Sequence, residues 1–448
     1  MKNIMGKQIA RWYILYSVFL FAIQSFVALL GATSLVYPDL PSPVSFEYGR
    51  AIHLFLATFW PAMGMMGIVQ HFTIVQLKED LYSPQISKWQ FFILLFSSLG
   101  QLGTLTLGIG NGREYLDGLL VFYGGIALGI LLGTYNLLKT VWLHRKKATP
   151  VLGVMSIGMV FLCMLLIPNL VRYHNPVAVE AIKFWVVHLW EEMAFELMAS
   201  GFIMAFFIIN GIVKQKDMEN WLYLESSLSV VGGLFGTGHH YFWIGFPAIW
   251  LFLGTFFSVV QSIPVFLLAI MIYKGLKKKW LTKNREKLVL YMIISSIFHH
   301  LTGATLLGLF ITIPWVNLYT HGTYLTSGHA HLALFGTMGF LVLGGAYYIL
   351  SENQSLEKRS YQYGVIGILL LNVGLIVMST LLIIAGLIQA YFWRGLNMDF
   401  MEVSSMIFPY LFFRVLGGGL FTLGSAIIVY QIFKIWWTTT RKTNQQSY

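Results

Sequence analysis

The chain has 448 residues, of which 57% are hydrophobic and only 10% charged, with a mean hydropathy of +0.70. That composition excludes a soluble globular protein and indicates a polytopic membrane protein. The formal net charge of +11 would suit nucleic acid, but the basic residues follow membrane topology instead, which excludes that partner. A single cysteine, Cys163, sits in an apolar run as inert packing and leaves no disulfide framework, thiolate metal site or CxxCH heme attachment.

Twelve apolar stretches are expected to span the bilayer, near 12–36, 50–77, 89–109, 119–143, 150–172, 181–211, 222–246, 249–273, 288–312, 324–350, 362–391 and 405–435. The loops between them are short, so the expectation is an all-α, single-domain chain over 1–448. The first stretch is longer than the apolar core of a cleaved signal and is kept as a helix. With the N-terminus in the cytoplasm, all of the 29 Lys and Arg residues fall on the inner side except Arg50, Arg113, Arg172, Lys183, Arg394 and Arg414. So strong a bias fits an even number of helices with both termini cytoplasmic. The Lys-rich run 274–287 is then an inner loop rather than a nucleic-acid contact.

On that topology the second span enters from outside with His53 in its first turn. The sixth carries His188, the seventh ends outward at His239-His240, and the tenth carries His329 and His331. At about 1.5 Å per residue all six lie in the outer part of the bilayer. Ionisable groups in hydrocarbon are costly unless paired or metal-bound, so shared depth points to one site.

His188, Glu192 and Glu196 follow at i, i+4 and i+8, which stacks them on one helical face. An imidazole and a carboxylate one turn apart suit iron; Glu191 is expected to point away. Adjacent histidines such as His239-His240 diverge by about 100° on a helix and share a metal only if it lies between them. His329 and His331 diverge by about 200°, which suits axial ligation of two hemes, one on each side of the helix. His53 can supply the second axial ligand of one of them.

The runs Val-Val-His188-Leu-Trp-Glu-Glu192-Met-Ala-Phe-Glu196, Gly-Thr-Gly-His239-His240-Tyr-Phe-Trp and His321-Gly-Thr-Tyr-Leu-Thr-Ser-Gly-His329-Ala-His331 carry a resemblance. Over nearly the whole chain the sequence resembles subunit I of the heme–copper oxidase superfamily, and within it the catalytic subunit of cytochrome c-dependent nitric oxide reductase. The resemblance implies that His53 and His331 bind a low-spin heme b, that His329 is the axial ligand of a high-spin heme b, and that His188, His239, His240 and Glu192 hold a non-heme iron. It implies reduction of two NO to N2O and water in a bacterial cell membrane, as part of a denitrifying respiratory chain. Copper-containing oxygen reductases of the superfamily commonly carry Tyr where this chain has Glu192, and a carboxylate favours iron. The competing expectations are an oxygen reductase or NO dismutase of the same fold, or a non-enzymatic heme-binding transporter.

Other positions are read by the same resemblance. Arg50 and Arg113 would pair with heme propionates, Glu114 looks like a ligand of a calcium ion that bridges them, and His321 resembles a histidine near the high-spin heme. Glu196 would tune the site or relay protons. Gln261 stands where relatives usually have a proton-delivering Glu, and Gln cannot release a proton at neutral pH. Glu225 is read as an end charge or, failing that, as part of an inside proton route. His299-His300 is read as a hydrogen-bonded packing pair in preference to a relay. Without a covalent heme or dicopper motif, electrons are expected from a partner on the outer face: a membrane-anchored cytochrome c or a dicopper subunit.

Overall fold

The computed structural model describes residues 4–352 and 356–445, with side chains described as far as Thr440. Lys2 and the side chains of Arg441 and Lys442, counted above on the inner side, lie outside the described residues. Twelve long helices follow in the expected order: α1 Met5–Val36, α2 Phe46–Leu77, α3 Pro84–Thr106, α4 Leu120–Leu143, α5 Pro150–Leu170, α6 Pro176–Ile209, α7 Gln215–Gly236, α8 Ile249–Lys278, α9 Asn284–Thr312, α10 Tyr324–Leu350, α11 Lys358–Gly395 and α12 Phe400–Thr440. No strand occurs among the described residues. Ten of the helices are long and apolar enough to cross a membrane by composition alone. The other two, α3 and α7, are long enough but turn polar groups inward: Gln90 and Gln101 from α3, Glu225 and Ser229 from α7 are all buried.

Local chemistry sets the helix starts. Pro84, Pro150 and Pro176 occupy the first turns of α3, α5 and α6, where a missing N–H costs nothing. Ser83, Thr149 and Asn175 precede them, and each side chain accepts a hydrogen bond from a free N–H of the first turn.

The helices pack in sequential pairs, α1 on α2, α3 on α4, α7 on α8 and α11 on α12, and α12 returns against α1 to close the bundle. The central helices are those that carry the histidines. In α2, α6 and α10 the most apolar stretch is 83%, 78% and 72% buried, against 28% in α8 and α12. The peripheral helices keep side chains such as Phe252, Ile263 and Leu423 exposed, which suits a lipid-facing surface.

Among the described residues four helices contain a π turn: Trp190–Phe195 in α6, His300–Leu307 in α9, His331–Gly339 in α10 and Gln389–Gly395 in α11. Such turns insert a residue into the helical ladder and occur often at functional sites. Those in α6, α9 and α10 border one cavity.

Candidate metal centre and two flanking cavities

His188 from α6 and the His239-His240 pair after α7 come together with Glu192. One ligand atom from each lies within 4.8 Å of the others. The imidazole rings of His188, His239 and His240 are 4.3–5.1 Å apart, centroid to centroid. The pair does not lie on a regular helix. After α7 the chain tightens into a 3₁₀ turn, Thr237–His240, which swings both rings toward His188. Gly254 of α8 permits this, because a Cβ there would strike the backbone of Gly238 and His239.

The hydrogen bonds fix which ring nitrogens face inward. Nε2–H of His188 donates to the Gly233 carbonyl at 3.0 Å, which leaves Nδ1 as a bare lone pair. That Nδ1 is buried without a hydrogen-bond partner, 3.3 Å from Glu192 Oε1. The Ser258 hydroxyl donates to the Gly254 carbonyl at 2.7 Å and so accepts Nδ1–H of His239 at 3.0 Å. His239 therefore turns a bare Nε2 inward, 3.9 Å from Glu192 Oε1. His240 stacks on Phe184 at 4.8 Å. Three imidazoles and a carboxylate with ligand atoms converging and outer nitrogens tied fit a transition-metal ion. The carboxylate oxygen favours iron over copper.

His329 and His331 point to opposite sides of α10. His329 lines a cavity of about 600 Å³ shared with the His188 cluster, and His331 lines a second cavity of about 280 Å³ with His53. Ala330 borders both. His329 ties Nδ1 to the Gly303 carbonyl at 3.0 Å and His331 ties Nδ1 to the Ser327 carbonyl at 2.7 Å. Each thereby presents an unprotonated Nε2, the form that binds a metal. The rings of His53 and His331 face one another at 5.9 Å and 24°, and Nδ1 of His53 is buried and unpartnered. These donor sets fit a bis-His heme in the smaller cavity and a mono-His heme in the larger one.

The π turn in α6 alters one expectation. Glu191, expected to point away from the site, lines the larger cavity alongside Glu192 and Glu196, because the added residue widens that helical face. Sequence periodicity assumes a regular helix and carries no signal for this. Gln261 of α8 meets the same turn: its Nε2 donates to the Glu192 backbone carbonyl at 3.0 Å.

Glu196 and Glu225 of α7 line the same cavity as the cluster. Glu225 is 1% exposed and accepts from Ser229 at 2.9 Å and Ser200 at 3.3 Å. It is a buried cavity residue, not a snorkelling end charge. His300 stands 3.9 Å from Glu196. The two adjacent histidines of α9 thus separate: His300 lines the cavity, while His299 hydrogen-bonds Asn372 and stacks on Phe340, as packing groups do.

At the end of the bundle where α2 begins, Arg50, Glu114 and Tyr115 line both cavities, and His321 lines the larger one. Arg113 borders neither. Its guanidinium is engaged by Asn169 and the Val171 carbonyl and lies over Tyr173, so the chain pins the loop after α5 with it rather than a propionate. The sequence reading missed Arg414, which lines the smaller cavity; an arginine inside an apolar helix was the available signal. Glu114 is paired with Arg50 and with Lys183. Calcium needs six to eight oxygen ligands, and both Glu114 oxygens already face cationic groups, so this residue does not fit a calcium site.

This arrangement, two histidine-lined cavities divided by one helix and a His/Glu cluster facing one of them, fits a heme- and metal-binding oxidoreductase core. Residues 8–420 match the family model for cytochrome c and quinol oxidase polypeptide I, and the chain belongs to that family, subunit I of the heme–copper oxidases. Members bind hemes and a metal centre, act as oxidoreductases and work as subunits of multi-subunit respiratory complexes in membranes. Among curated relatives, a nitric oxide reductase subunit of Stutzerimonas stutzeri is 27% identical, over 95% of this chain and 94% of its own. A cytochrome c oxidase subunit 1 homolog of Agrobacterium tumefaciens is 25% identical, over 95% and 83%. The fold matches a heme-copper terminal oxidase dimer solved by cryo-electron microscopy, with a TM-score of 0.78 at 15% identity, covering 96% of this chain and 84% of that one.

Proposed function

We propose that the chain, over 1–448 as one catalytic unit, is the catalytic subunit of a nitric oxide reductase. The observation that carries this is Glu192, a carboxylate that completes the three-histidine cluster opposite His329. With a low-spin heme b between His53 and His331, a high-spin heme b on His329 and a non-heme iron in the cluster, the bound groups supply the electrons and binding sites that turn two NO, two electrons and two protons into N2O and water.

The protein's own residues do the rest. The Gly233 carbonyl and Ser258 hold His188 and His239 in the tautomers that offer a lone pair. Gln261 holds the π turn that presents Glu192. Glu196 and Glu225, two carboxyls that line the larger cavity, would hold a proton there. Glu225 enters from α7, with Lys214 just before that helix and Lys216 in its first turn on the side assigned to the cytoplasm, and this supports proton supply from inside in place of the glutamate that Gln261 replaces. Electrons arrive from an outer-face partner, a membrane-anchored cytochrome c or a dicopper subunit. The basic bias of the inner loops supports a bacterial inner-membrane protein with both termini cytoplasmic.

Oxygen reduction is the second reading, because oxidase relatives match over as much of this chain as the reductase does. Heme, iron and copper analysis of the purified complex separates them, followed by NO consumption with a reduced artificial donor. Two b hemes, one further iron and N2O as product are expected. Copper in place of that iron, with oxygen consumed and no N2O, overturns the proposal.

A further inference from the structure

Glu114 and Glu180 line the outer end of the larger cavity, with Asp117 in the loop that carries Glu114, and protein cations or amides already engage each of the three. Glu114 Oε1 pairs with Arg50, and its Oε2 faces the Lys183 ammonium at 3.8 Å. Glu180 Oε2 meets the same ammonium at 2.6 Å. Asp117 Oδ1 accepts from the amides of Asn111 and Gly112, at 2.6 and 2.9 Å, within its own loop. Both oxygens of Glu114 thus face protein cations, whereas calcium needs six or more oxygens turned toward it at about 2.3–2.6 Å.

Lys183 is unusual in its own right. It sits within a membrane helix with its side chain only 6% exposed, where an ammonium is expensive without partners. It has two carboxylates and the face of Phe184, 4.4 Å below Nζ, an arrangement that offsets its desolvation. Phe184 in turn stacks on His240. The ammonium therefore lies where the wall of the heme cavity meets the metal cluster, beside Arg50 and Glu114, which border both cavities.

We propose that Lys183 is a built-in cation that replaces a divalent ion at this junction, so that the protein holds its hemes without calcium. Together with Arg50 its positive charge balances Glu114 and Glu180, and it stabilises electrons on the heme of the His329 cavity. This rests on the reading that both cavities hold heme, which a pyridine hemochrome assay of the untreated protein tests by itself.

The test starts with the native purified complex, dialysed against EGTA. Substoichiometric calcium, with heme content and absorption unchanged, is expected. One calcium per complex whose removal releases or perturbs heme overturns the proposal. Redox titration of two variants then reads the charge. Lys183→Met keeps the apolar stem and lowers the midpoint potential of the His329-side heme, because a lost positive charge disfavours the added electron; Lys183→Arg restores it toward native. A Lys183→Met heme titrating as in the native protein also overturns the proposal. If Lys183→Met does not assemble, the calcium measurement on the native complex decides alone.

Discussion

Gln261 Nε2 donates a hydrogen bond to the backbone carbonyl of Glu192, 3.0 Å away, at the π turn of α6. A helix that departs from its regular ladder leaves carbonyls in need of donors, and here the donor comes from a neighbouring helix. The amide side chain thus supports the backbone that aims the carboxylate of Glu192. Gln261→Leu removes the donor and is expected to weaken iron binding about 10–100-fold, as loss of an outer support does. Iron per protein after dialysis against a graded chelator reads this; unchanged retention removes Gln261 from that role.

Ser258 acts on a different ligand. Its hydroxyl accepts from His239 Nδ1 and donates to the Gly254 carbonyl. Ser258→Ala frees His239 to adopt the other tautomer and should lower iron affinity by a similar factor, about 10–100-fold, while Ser258→Thr retains most of it. Equal iron content in Ala and Thr variants would show that the hydroxyl sets nothing.

Glu225 gives the test of proton supply. Glu225→Gln preserves size and the contacts of Ser200 and Ser229 but holds no exchangeable acid proton. N2O formation should slow by about 100-fold or more, as for a lost general acid, with heme and iron content unchanged. Native turnover in this variant would return the proton route to the outer face.

The end of the bundle where α1 begins and α10 ends carries a pH-dependent contact that is independent of catalysis. Burial alone would raise the Glu352 carboxyl, but the hydrogen bond from Lys7, then the charges of His71, Lys7 and Arg11, hold it below its ordinary 4.5. Lys7 donates to it at 2.8 Å and Arg11 stands 3.6 Å away. A carboxylate held low in the folded state contributes its stability above about pH 4.5 and loses it as pH falls through the lower folded value. Glu352→Gln should cost roughly 0.5–1 kcal/mol at neutral pH and progressively less as the pH is lowered below 4.5. Thermal unfolding in detergent across that range checks this; a penalty that does not shrink in acid contradicts it.

The histidines were legible because hydrocarbon makes any embedded imidazole conspicuous: His53, His188, His329 and His331 each interrupt an apolar helix. The divergence of His329 and His331 followed from helical periodicity alone and matches the two cavities. Periodicity failed where the helix is irregular. It hid Glu191 behind the π turn and treated His239-His240 as a regular pair when they sit on a 3₁₀ turn. It also cannot say which arginine meets which partner. Arg113 was assigned by its place in an outer loop, yet a loop neighbour takes it, and Arg414, further along the chain, lines the cavity instead.

The π turn at Trp190–Phe195 stores catalytic geometry in chain length as well as in residue type. Remove one residue from it, Met193 for instance, and the segment can close into an ordinary α-helix that still spans and still packs. The helix on either side then keeps nearly its present phase, because the turn had absorbed the extra residue, but the widened face that brings Glu191 and Glu192 to one cavity is lost. A family could therefore switch such a centre off, or retune it, by a single-codon deletion that leaves every ligand in the alphabet of the sequence.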